Sequence, residues 1–155
     1  MENLDAWFEA RYQTLARKRP ACRPAELLAL LRRSLGQFEA AAPEPRLVSR
    51  TAATGHTREY WELSGIAGLR FGMYVLVPPG EGPFPGVLAL HGHGYGNHEI
   101  VGLGPGGDPD KVPDTCHKHF ALALVRRGLL VAAPAVIGFG ERRFAADLTA
   151  GQTGA

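Results

Sequence analysis

The chain has 155 residues, 45% hydrophobic and 21% charged, the composition of one globular domain with a core of its own. Its 17 basic residues against 15 acidic ones leave a net charge of +2 with no basic stripe, which argues against a nucleic-acid partner. No stretch approaches the roughly 18 apolar residues of a membrane span, residues 1–10 lack the apolar core of a signal peptide, and Cys22 and Cys116 show no metal spacing, so a reducing, cytoplasmic setting without a membrane partner is expected.

Two helices are expected first. Leu4, Trp7, Phe8, Tyr12 and Leu15 recur at helical spacing over residues 3–18, and Leu27, Leu28, Leu31, Leu35 and Phe38 do so over residues 24–40. Pro24 suits a first helical turn, and Pro43 and Pro45 close the helical region. The basic run Arg17, Lys18, Arg19 and Arg23 reads as a solvated helix face and end, broken by Pro20 and Pro24. Residues 1–45 are thus expected to form a helical extension that packs on a sheet, and residues 46–155 the sheet-bearing part.

From Arg46 to Leu63 the pattern suggests short strands around a turn at residues 54–56. Phe71, Tyr74, Val75, Leu76 and Val77 mark a strand over 70–78, stopped by Pro78 and Pro79. Gly86 to Leu90 and Leu129 to Ala133 are short continuous apolar runs, as in strands buried on both faces of a parallel sheet. Between them lie a glycine-rich stretch, read as a long loop, and a helix expected from Asp114 or Thr115 through Phe120, Leu122, Leu124 and Val125 to Arg127, ended by Gly128. Strand, loop, helix and strand make a βαβ unit.

The strongest chemical signal is His91-Gly92-His93-Gly94-Tyr95, directly after the first apolar run. Sites in open α/β sheets form just beyond the carboxyl ends of strands. Glycines there let a substrate approach backbone N–H groups, and two N–H groups aimed at one point stabilise an oxyanion.

The segments Pro85 to Gly94, His119 to Gly128, Leu129 to Pro134 and Gly138-Phe139-Gly140-Glu141-Arg142 together resemble the α/β-hydrolase fold, within it the dienelactone-hydrolase and acetyl-xylan-esterase-like group. The resemblance spans roughly residues 70–143. It implies an α/β fold with a mostly parallel sheet and flanking helices, here preceded by the two N-terminal helices. It implies a carboxylic-ester hydrolase working by serine acyl transfer on a small-molecule ester without a cofactor. His93, flanked by Gly92 and Gly94, would give the oxyanion N–H, His91 would support the loop, and Tyr95 with residues 96–113 would shape the substrate mouth. The family often carries an acidic residue after the proline that ends the fourth strand, where this chain has Ala135 after Pro134. The family's nucleophile motif, Gly-x-Ser-x-Gly, is not in this sequence. The serines are Ser34, Ser49 and Ser64, and none has the flanking glycines. The sequence therefore reads as a first half of the domain, ending before the nucleophile strand, with the triad outside it.

Three rival readings remain. His91 and His93 form an H-x-H that could serve a metal-dependent hydrolase, with His98, Asp108, Asp110, Asp114, His117 and His119 downstream. The glycine after each of the first two histidines suits backbone chemistry better, and no metal site is expected. Cys116, beside His117 at an expected helix start, could be a nucleophile. A non-catalytic fragment or interaction module is the alternative outside enzymology. Substrate identity and oligomeric state are not fixed by sequence.

Overall fold

The computed structural model describes residues 4–17, 23–36, 40–66 and 68–143. Cys22, Phe38 and residues 149–155 lie outside them. The chain divides into two compact units, Met1–Glu39 and Ala40–Ala155. The first holds helices α1 (Leu4–Arg17) and α2 (Pro24–Leu35). Pro24 opens α2, the Glu26 carboxylate accepts the Arg23 N–H at 3.0 Å, and Gly36 ends the helix at φ +75°. No helix is long and apolar enough to cross a membrane among the described residues.

The second unit is mixed α/β. Strands β1 (Arg46–Ala53), β2 (His56–Ile66), β3 (Leu69–Val77), β4 (Gly86–Leu88) and β5 (Leu130–Pro134) form one sheet in the order β1-β2-β3-β5-β4. The expected mostly parallel sheet is corrected here. The pairs β1/β2, β2/β3 and β3/β5 are antiparallel, and only β4/β5 is parallel. For β1/β2 and β2/β3 connection length is the physical reason. Gly55 at φ +79° and Gly68 at φ +76° make tight reversals, which can join only antiparallel neighbours. β4 and β5 are joined by a long connection that carries α4 (Phe120–Val125), which leaves room for a parallel crossover. β1 and β2 are also long strands, not the short ones suggested by their pattern.

The β4 run is not buried on both faces. Val87 and Ala89 turn inward, whereas Leu88 and Leu90, on the other face of this edge strand, are 64% and 57% exposed. Cross-strand pairs Leu76↔Val131, Tyr74↔Ala133 and Val87↔Val131 put these side chains on one face. There Leu76, Ala89, Val131 and Ala133 pack with Ala121 and Val125 of α4 (Phe120–Val125) and with Ile100, Val101 and Leu103.

Two further expectations change. The glycine-rich stretch after β4 is not a plain loop. It contains the helical turn α3 (Asn97–Ile100), with all four residues buried, and it supplies part of the core. Helix α4 starts at Phe120, not at Asp114 or Thr115. Lys118 and His119 adopt φ +49° and +51°, which no helix permits, and the Asp114 carboxylate pairs with Lys118 Nζ at 2.6 Å instead of capping.

Candidate functional site

The last backbone bond from β4 is Ala89 N–H to Ala132 O, after which the chain leaves the sheet through His91. His91 is 6% exposed. The Val136 N–H can only donate, so His91 Nε2, 3.0 Å away, must accept. Nδ1 then carries the hydrogen and donates to Gly92 O at 3.1 Å. His91 thereby ties the loop after β4 to the loop after β5.

His117 holds the other side of Gly92. The Gly92 N–H donates to His117 Nε2 at 3.0 Å, so the hydrogen of that ring sits on Nδ1 and is given to Glu99 Oε1 at 2.7 Å. Glu99 is 2% exposed, and its carbonyl accepts the Nδ1–H of His119 at 2.7 Å. One glycine is therefore clamped by two imidazoles, at its N–H by His117 and at its C=O by His91. That C=O shares a peptide plane with the His93 N–H, so the direction of the His93 N–H is set as well.

Gly94, at φ +128°, lies so close to the Glu99 carboxylate that a Cβ would run into Oε2. Gly96, at φ +92°, lies against the backbone of Gly140, 3.0 Å from the place a Cβ would take. The two loops thus meet backbone to backbone, which only glycine allows. Among the described residues, no hydrogen bond holds the N–H of His93 or of Gly94. The His93 ring is exposed and meets Phe139 edge-on at 5.2 Å between centroids.

Next to these loops is a cavity of about 440 Å³ lined by Tyr60, Tyr74, Tyr95, His98, Glu141 and Arg143, among others. Tyr60 and Tyr74 are register partners with ring centroids 4.8 Å apart, and Tyr74 meets His98 edge-on at 5.5 Å. The Tyr60 hydroxyl donates to Glu141 Oε1 at 3.3 Å. Burial, then the Glu141 charge, push the Tyr60 phenol up and the Tyr74 phenol to about 12. Burial, then Glu99, raise Tyr95, and burial lowers His98. Near neutral pH the three phenols are un-ionised donors. The Tyr95 hydroxyl is buried and makes no hydrogen bond among the described residues.

The histidines do not assemble into an H-x-H metal site. His91 has both ring nitrogens engaged, and His93 faces solvent. The donors that converge are Glu99, Cys116 and His117, within 4.8 Å of one another. That set does not fit a cation. A metal on His117 Nδ1 would displace its hydrogen to Nε2, directly against the Gly92 N–H. Cys116 is exposed, 3.5 Å from the same Nδ1, and does not stand at a helix start because α4 begins four residues later. Sequence reasoning missed Glu99, named His117 only as a possible metal ligand and as the neighbour of Cys116, and named Glu141 only within the segment 138–142. The available signal was Asn97-His98-Glu99-Ile100-Val101, a polar group running into apolar residues within a glycine-rich stretch.

No protein-family model and no curated protein matches the sequence. Among solved structures, the chain is similar to a proposed acetyl xylan esterase from Bacteroides fragilis. Identity is 24% and the TM-score 0.59, over 74% of this chain and 30% of that one. The likeness establishes a shared fold over that part, and this chain spans under a third of the neighbour's length.

Proposed function

We propose that this chain carries the oxyanion-loop portion of a hydrolase that cleaves carboxylic esters by serine acyl transfer. The observation that carries the reading is a pair of adjacent backbone N–H groups, His93 and Gly94, left without partners among the described residues just beyond the carboxyl end of the one parallel strand pair. Unpaired donors in a braced loop are what a developing oxyanion requires, because they need no reorganisation as charge appears. The Gly92 N–H is not one of the donors, since His117 holds it. Tyr95, with the phenols of the adjacent cavity, binds the ester's substituent. The likeness to a proposed esterase supports the same reading. The nucleophile is a serine that Ser34, Ser49 and Ser64 do not provide, and the histidine that relays its proton belongs with it.

The test is His93→Pro in the full-length protein, with hydrolysis of a p-nitrophenyl acetate ester as the assay. Proline has no N–H to donate. Turnover is expected to fall by about 10²–10³, with thermal unfolding still cooperative. Undiminished turnover would sink the oxyanion assignment.

A further inference from the structure

We propose that Glu99 and His117 are a positioning pair for this loop, in which the buried carboxylate selects the one imidazole tautomer able to hold the Gly92 peptide. A free neutral imidazole favours its hydrogen on Nε2. In that form His117 would present N–H to N–H at Gly92, and the contact would be repulsive. Glu99 Oε1, 2.7 Å from Nδ1, fixes the hydrogen there and leaves the Nε2 lone pair facing Gly92. A carboxylate this deeply buried is costly unless it is hydrogen-bonded, so the pair is mutually dependent.

The surrounding chain is organised around this contact. Lys118 and His119 both hold left-handed backbone angles, which non-glycine residues rarely adopt. Their turn aims two imidazoles, two positions apart, at one residue, with His117 on the Glu99 carboxylate and His119 on its carbonyl. On the far side, Glu99 Oε2 fills the space that a Cβ at Gly94 would take, so the loop and the carboxylate are in close contact there. Cys116 Sγ also lies against the His117 ring, 3.5 Å from Nδ1. Glu99 and His117 thus act through the backbone, and neither is a proton relay for substrate, because the Nε2 lone pair is already used.

The direct test needs no substrate. In the 15N-labelled full-length protein, a scalar coupling is expected between the Gly92 amide nitrogen and His117 Nε2, with Nε2 resonating as an unprotonated nitrogen. Glu99→Leu is expected to abolish the coupling and speed hydrogen exchange at Gly92. A wild-type ring protonated at Nε2, or no coupling, overturns the pair. The effect on turnover rests on the ester-hydrolase reading. There, His117→Phe is expected to lower kcat about 10²-fold with KM little changed. His117→Gln, whose side chain carries both an acceptor and a donor, is expected to recover most of the loss. Equal losses in the two variants would overturn the positioning role. An intact coupling in a protein that hydrolyses no ester would support the pair and remove the functional reading alone.

Discussion

The loop after β4 and the tyrosine-lined cavity beside it solve different problems with similar polar inventories. In the loop, side chains spend their hydrogen bonds on the protein itself. His91, His117 and His119 each bond backbone, and the buried Glu99 carboxylate is bonded to His117. What remains open is backbone N–H, rigid and directionless as to substrate identity. In the cavity the backbone under Tyr60 and Tyr74 is committed to β2 and β3, and what lines the space is side-chain chemistry: three phenols, His98 and Glu141. Fixed donors suit a charge that appears at one point, whereas adjustable hydroxyls suit the recognition of a group.

The sharpest way to break that contrast is Gly94→Ala. A methyl group there meets the Glu99 carboxylate and must also accept φ +128°. Expected losses are about 1–3 kcal/mol in urea unfolding and about 10²-fold in kcat, since the His93 and Gly94 peptides would turn together. Ile100→Ala supplies the complement. Ile100 is fully buried in the core beneath the same segment. Its truncation is expected to cost about 2–5 kcal/mol of stability while leaving kcat nearly intact below the melting transition. A parallel fall in kcat would mean that the loop is held by core packing and not by its polar clamp. Tyr95→Phe probes the cavity. Its hydroxyl is buried without a partner among the described residues, so removal should leave stability unchanged or slightly raised. A rise in KM alone would place the hydroxyl against the ester's substituent.

Much of the fold was legible because local chemistry decides it. The β3, β4 and β5 runs, the Gly55 reversal and the Gly128 stop all stand where the residues put them. Strand direction was not legible, because apolar periodicity is blind to it. For β1, β2 and β3 it follows from how tightly Gly55 and Gly68 turn the chain. The buried role of Ile100, Val101 and Leu103 was masked by the glycines around them, which read as loop while making room for close packing. The His91 to Tyr95 segment could be singled out as a site, but its clamp could not. The partners Gly92, Glu99 and His117 are up to 25 residues apart, and two left-handed residues that no propensity predicts bring His117 into place.

The smallest expected effect separates the two regions by acid. Burial lowers the His98 pKa from its ordinary 6.5, so the folded state resists a proton that the unfolded chain takes up readily. Between the lowered folded value and 6.5, the unfolded chain binds more protons, and stability rises with pH across that window. The contribution is complete above 6.5 and is lost as the pH falls. His56 is lowered by burial in the same direction, so the acid limb is shared. His98→Gln should therefore flatten the acid side of a stability-versus-pH curve without abolishing it, and should leave the Gly92 to His117 coupling in place. If the coupling disappears with His98, the cavity and the loop are one cooperative unit, and the division between fixed backbone donors and adjustable hydroxyls does not hold.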